Sequence, residues 1–248
     1  MNKSSCQENI MGVAEVAVSR TFELLARVRG AQVFHPRGMG LAGALHAVDP
    51  QYEKLLGASE SPAVVRISKG LGLPGGLPEV LGLAIRVLDR EGRPWDLALA
   101  TTGSGALSRL VPLPARGWDS ARYGSLMAYR FADGPAEWLC VRPSTPQPET
   151  ADISDFVDTV RAGRTGFDLT AVPRSGPERP LAQLLVTELE VGDAPSSFDP
   201  VRNRPEEVTL LPHALATVRA WAYAGSRRGS HRALSPAREA ETSADSRG

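Results

Sequence analysis

Short runs of alternating apolar and polar residues, closed by glycine, proline or aspartate, dominate the middle of this chain. The clearest are residues 63–68 and the pair Leu81–Leu88 and 95–100, which the turn 89–93 connects. Alternation with a period of two predicts β-strands that bury one face. Many short strands joined by turns favour an antiparallel barrel or sandwich. Further strands are predicted at 31–35, 43–48, 124–131, 137–142, 167–172 and 181–189.

Helical periodicity is found mainly near the two ends of the chain. Residues 7–29 carry an apolar stripe at helical spacing, followed by Gly30 as a C-cap. Residues 50–56 form one or two predicted helical turns, 152–162 a helix, and 211–223 a final helix that has Pro212 at its start. The fold class is therefore α+β, with an antiparallel β core and flanking helices. The stripe of the first helix consists of Val13, Val16, Phe22, Leu24, Leu25 and Val28.

Length and composition fit one soluble globular domain. The chain has 248 residues, of which 42% are apolar and 23% charged, and this allows a sizeable single core. No internal repeat or second domain is recognisable, so residues 1–229 are assigned to one domain. Residues 230–248 are polar and lack aromatic side chains, which predicts a disordered tail.

Charge and cysteine content exclude several classes of protein. Lys plus Arg equals Asp plus Glu, so the chain has no basic footprint for nucleic acid. Cys6 and Cys140 are too few for a disulfide framework. The chain starts without an apolar leader and contains no apolar run of membrane-spanning length. We therefore expect a cytoplasmic protein with neither a nucleic-acid nor a membrane partner.

Three separated stretches resemble the haem-catalase superfamily. In residues 33–40, His35 precedes a glycine-containing loop, as the distal histidine of the family does. Residues 62–68, 82–87 and 95–97 are similar to three barrel strands of the family in the same order. Arg219-Ala220-Trp221-Ala222-Tyr223 matches its Arg-x-x-x-Tyr. Weaker similarities at 123–141 and 197–200 keep the same order, so the resemblance covers residues 31–232.

The resemblance implies a small catalase-like barrel with a C-terminal ligand helix, haem b as cofactor and a peroxide as substrate. Tyr223 is implied as the proximal iron ligand, in the tyrosinate form that such haem sites use. Arg219 lies one helical turn before Tyr223, and its charge favours that anion. His35 is implied as the distal acid/base, a role suited to an ordinary pKa of about 6.5.

Other residues are implied in support. Ser68 corresponds to a serine that holds the distal histidine, and Arg66 to an arginine on a haem propionate or on the distal side. Arg227 belongs to the basic residues that follow the ligand tyrosine, and Thr101 is a candidate donor to peroxide. Four of the implied residues have an ordinary structural alternative: Ser68 as a plain strand serine, Arg66 as an outer arginine paired with a carboxylate, Tyr223 as a core residue of an amphipathic helix, and His35 as a buried structural histidine or a loop histidine next to Pro36.

The chain departs from the family at two important places. Gln32 stands where the family has an arginine three residues before the distal histidine, and Ala100 stands at the apparent position of its distal asparagine. Fast dismutation of hydrogen peroxide depends on a preorganised distal pair, so a slower peroxidase, or an enzyme for organic hydroperoxides, fits better. Most of the arm that intertwines tetrameric catalases is missing, which favours a monomer or homodimer.

Two alternatives remain open on the sequence. The barrel could bind haem or a lipid without turning over peroxide, or it could have lost haem and act as a hydrolase. The four histidines show no zinc-ligand spacing with cysteine. Gly103-Ser104-Gly105 is too short to be a nucleophile elbow.

Overall fold

The computed structural model describes residues 37–74, 76–163, 165–189 and 197–211. Strands dominate these ranges, and two short α-helices and one 3₁₀ turn accompany them. The elements are β1 (Arg37–Ala47), α1 (Pro50–Leu56), β2 (Glu60–Lys69), β3 (Leu81–Leu88), β4 (Pro94–Thr101), a 3₁₀ turn (Ser108–Leu110), β5 (Tyr123–Phe131), β6 (Ala136–Pro143), α2 (Ile153–Ala162), β7 (Thr165–Pro173), β8 (Arg179–Leu189) and β9 (Val208–Leu211).

Strands β1 to β8 form a closed antiparallel barrel. Each strand pairs with the next along the chain, and β8 returns to pair with β1. Strands β4 and β5 complete the ring through only two residue pairs, Ala100 with Gly124 and Thr101 with Tyr123. The predicted antiparallel β core is confirmed, and it is a barrel rather than a sandwich.

Side chains alternate between the barrel interior and its outer surface. On β2, Val65 and Ile67 are fully buried, whereas Val64 and Arg66 on the other face are partly exposed. The interior is filled by side chains, as is usual for eight strands. Each large apolar side chain buried there contributes roughly 1.5–3 kcal/mol. The largest fully buried residues are Trp95, Trp118, Tyr52, Tyr123, Tyr129, Phe156 and Phe167.

The two ends of the barrel are different. Helix α1 packs into one of them, the α1 end, which also carries the turns 89–93, 132–135 and 174–178. The Asp49 carboxylate caps this helix by accepting from the Tyr52 N–H at 2.9 Å, and Gly57, at φ +76°, ends it. The opposite end, the α2 end, carries the loops 70–80 and 102–122 and the connection 144–164 with α2.

Residues 197–211, here called the seam segment, fill the gap that β4 and β5 leave beyond their two shared pairs. The Asp96 N–H donates to the Asn203 carbonyl at 2.9 Å, and β9 pairs with residues 128–131 of β5. The buried Asp96 carboxylate accepts two bonds from Arg86 (2.6 and 2.7 Å), one from the Asp199 N–H (2.7 Å) and one from Asn203 Nδ2 (2.8 Å). This ion pair fastens the seam segment to β3 and β4.

The predicted elements that fall in the described ranges are present, with two corrections. The sequence predicts a loop at 36–40, but β1 begins at Arg37, because pairing with β2, as between Gly38 and Ser68, outweighs the local turn signal of the glycines. Leu211, predicted to open the final helix, instead ends β9 opposite Ala128, since pairing with β5 outweighs helical periodicity at this point.

The predicted elements at 7–29, 31–35 and 212–223, and the tail 230–248, lie outside the described residues. Within the described ranges, no helix combines the length and apolar character needed to cross a membrane.

Candidate functional site

The outer surface of β1 to β4 carries mainly small side chains in the two rows nearest the α2 end. Two rows of paired residues cross it, and most members of both rows are glycine, alanine or serine. Because successive residues of a strand point to opposite faces, these positions lie opposite the core positions of the same strands. Four strands at about 4.8 Å spacing make this surface about 15 Å wide. We call it the small-residue face, and it consists of Gly38, Gly40, Ser68, Gly82, Ala84, Ala98 and Ala100, with Arg66 as its one large residue.

Ser68 lies in the first of these rows. It pairs with Gly38 on one side and Gly82 on the other, and it is 4% exposed. Among the described residues, none hydrogen-bonds to its hydroxyl group. Three residues of chain reach at most about 10 Å, so His35 is within that distance of Gly38, the partner of Ser68. The register is therefore compatible with contact between these two predicted site residues.

Arg66 is the cation of the small-residue face. It pairs with Gly40 and Ala84, it is half-buried, and it forms no ion pair with an acidic side chain of the described ranges. Its guanidinium lies against Gly38, since an added Cβ there would be 2.8 Å from Nη2. A guanidinium in this setting can bind a planar carboxylate through two parallel hydrogen bonds.

The neighbouring arginine on the same face is already neutralised. Arg86 belongs to the row beyond Arg66, opposite Asp96 on β4. The pKa of Arg86 is raised above its usual value, chiefly by the hydrogen bond to Asp96, although burial acts in the opposite direction. Arg86 also donates to the Ser197 carbonyl at 3.0 Å and lies over the Phe198 ring. Arg66 is thus better suited than Arg86 to hold an added anion.

Thr101 does not share this face. It pairs with Tyr123 of β5, whose side chain lies in the barrel core, and Ala100 takes the place on the small-residue face. The Thr101 hydroxyl accepts from the Leu81 N–H at 3.0 Å and donates to the Leu113 carbonyl at 2.6 Å. Its hydrogen-bonding capacity is used to hold a loop at the α2 end.

Cys140 lies on the outer side of β6, opposite Gly124 and Thr170. It is 1% exposed, and burial raises the pKa of its thiol even though Arg122 and Arg142 act to lower it. A buried, protonated thiol is a poor nucleophile. In the ranges that the structure covers, no cluster of three or more His, Cys, Asp or Glu residues could hold a metal ion.

The structure brings together two of the predicted site residues, Ser68 and Arg66, and separates Thr101 from them. The predicted residues His35, Arg219, Tyr223 and Arg227 lie outside the described ranges. Sequence analysis missed the small-residue face itself. Its signal was available, because small residues recur at every second position from Gly38, Gly82 and Ala98.

Comparison with models of known protein families gave no match, and comparison with curated proteins also gave none.

Proposed function

We propose that this chain is a catalase-like, haem-binding oxidoreductase that acts on hydrogen peroxide or organic hydroperoxides. The observation that carries the proposal is the small-residue face together with Arg66, which has no acidic partner among the described residues. A planar macrocycle requires a surface without protruding side chains, and the partly exposed Gly38, Gly40 and Ala84 offer small residues for it. The carboxylates of haem require a cation, and Arg66 has no acidic partner in the described ranges. The residues present therefore fit haem b.

Bound haem iron supplies the redox centre for peroxide reduction. In this proposal Tyr223 would hold the iron as tyrosinate, and Arg219, one helical turn before it in the predicted helix, would stabilise the negative charge. Arg66 pairs with a propionate, and Arg227 adds positive charge after the ligand helix. His35 accepts the proton of one peroxide oxygen and returns it to the other.

Ser68 is proposed to position His35. Its hydroxyl can accept a hydrogen bond from one ring nitrogen, which fixes the tautomer and leaves the other nitrogen free to act as base. Its burial on the small-residue face and the lack of a described hydrogen-bond partner support this role. Thr101 is assigned a structural role instead, because its hydroxyl is already bonded to two backbone groups.

A second candidate function is haem or lipid binding without peroxide turnover. Ala100 favours it, because this alanine occupies the place on the small-residue face where the family resemblance calls for an asparagine. Ser68 and Arg66 are then the polar side chains that the described part of that face offers to a ligand. A protein that takes up haem but turns over neither class of peroxide would establish this function.

Filling the small-residue face should block haem uptake. In Ala84→Phe, a bulky ring replaces a half-exposed methyl group beside Arg66, so we expect haemin to bind about tenfold or more weakly, a change of about 1.4 kcal/mol or more. The measurement is a haemin titration followed by the Soret band. Ala136→Phe is the matched control, since Ala136 is a half-exposed strand alanine on β6. Equal haemin affinity in the two variants would show that haem does not bind at the small-residue face.

A further inference from the structure

Exposed leucines are concentrated at the α2 end of the barrel. Leu73 and Leu77 lie on the loop 70–80, with 36% and 53% of their surface exposed. Leu107 and Leu113 lie on the loop 102–122, with 63% and 39% exposed. In the described ranges the other exposed large apolar residues are Val48 and Leu88, near the α1 end. We call the first four the α2-end leucines.

The loops that carry them are held by specific hydrogen bonds. Glu79 and Ala115 exchange backbone bonds of 2.9 and 2.8 Å, which joins the two loops. The fully buried Glu79 carboxylate accepts from the N–H groups of Leu71 at 2.6 Å and Leu73 at 2.8 Å. The Leu113 N–H donates to the Thr101 carbonyl at 2.7 Å. The backbone therefore presents these leucines to the outside in an ordered arrangement.

Few charges lie next to the α2-end leucines along the chain. Residues 70–78 carry no charge, and Arg109 is the single charged residue of 103–115. Arg109 stacks on the Trp138 ring at 5.1 Å. The loop 70–80 also lies against Thr150, the residue that follows Glu149. A Cβ atom built onto Gly76 would be 3.0 Å from the Thr150 side chain, which shows how close the two segments are.

The N-terminal segment joins the barrel at the same end. Strand β1 begins at Arg37, which pairs with Lys69, the last residue before the loop 70–80. The sequence predicts an amphipathic helix at 7–29, and such a helix is about 35 Å long. The linker 31–36 reaches about 20 Å. This segment is therefore long enough, and attached closely enough, to lie across the α2-end leucines.

We infer that the apolar stripe of residues 7–29 docks on the α2-end leucines and covers the α2 end of the barrel, as α1 covers the other end. The docking segment, residues 7–29, belongs to the same chain as the leucines. Both surfaces are largely aliphatic, and residues 7–29 carry three acidic and three basic residues, so no net charge opposes the contact. This inference does not depend on haem binding.

A photo-crosslinking side chain at a single position tests this. A benzophenone amino acid replaces Leu107 in the full chain, and in a matched control it replaces Leu88, which is also exposed but lies at the α1 end. After irradiation of mixed light- and heavy-isotope chains, we expect cross-links from position 107 to residues 7–29 of the same chain, and none from position 88. The added substitution Leu25→Asp, on the stripe, should reduce cross-linking from position 107 at least fivefold.

Three results would overturn the inference. Cross-links between light and heavy chains would show that a second copy covers the leucines. The absence of cross-links from position 107 to residues 7–29, or an unchanged yield with Leu25→Asp, would show that the stripe does not dock there. Circular dichroism of each variant verifies that the barrel is folded.

Discussion

Asp96→Ala is expected to lower the free energy of unfolding by about 3–5 kcal/mol, the range for breaking a buried ion pair from one side. The wild-type carboxylate is fully buried and accepts four hydrogen bonds. Its removal leaves the guanidinium of Arg86, 21% exposed, without its counter-charge. It also leaves the Asp199 N–H and the Asn203 amide without this acceptor. The seam segment then loses its main attachment to β3 and β4.

Urea denaturation, followed by tryptophan fluorescence, measures this change. Asp158→Ala is the control, since Asp158 forms an ion pair with Arg161 at 3.2 Å in which both side chains are largely exposed. Such exposed pairs contribute about 0–1 kcal/mol. If Asp96→Ala lowers the free energy of unfolding no more than Asp158→Ala does, the seam segment does not depend on this ion pair.

His35→Ala is expected to lower kcat/KM for peroxide by about 10²- to 10⁴-fold, the usual contribution of a positioned general acid/base. Haem uptake should change little, because the proposal assigns the iron ligand to Tyr223 and a propionate to Arg66. The pattern expected is therefore a haem-loaded protein with strongly reduced turnover.

Steady-state assays with hydrogen peroxide and an organic hydroperoxide test this prediction. His46→Ala is the matched control, because His46 is an exposed histidine on β1 close to the α1 end. It should retain wild-type turnover. Equal rates for His35→Ala and wild type would mean that proton transfer does not use His35.

Much of the fold was predictable because strands leave local patterns. Leu81–Leu88 was predicted with the boundaries observed, and the turn 89–93 identified its hairpin with β4. Closure into a barrel was not predictable in this way. It depends on pairing between β1 and β8, which lie more than a hundred residues apart, and no local signal specifies such a contact. The strand pattern therefore left barrel and sandwich open, and the family resemblance alone implied a barrel.

The candidate site was predictable in part for the same reason. Ser68 and Arg66 are two residues apart on one strand, so a shared face follows from strand geometry. The motif that suggested Thr101 gave its position along the chain but not its face, and a shift of one residue reverses the face. The ion pair of Asp96 with Arg86 is joined by Asn203, 107 residues further along, which local patterns do not reveal.

The measurement that tests the central claim most directly is the absorption spectrum of the purified chain after addition of haemin, for wild type and Tyr223→Phe. Haem binding through Tyr223 predicts a Soret band together with the high-spin charge-transfer bands of a ferric tyrosinate in wild type, and loss of these charge-transfer bands in the variant. The claim is contradicted if the wild-type protein takes up no haem, or if both proteins give the same spectrum.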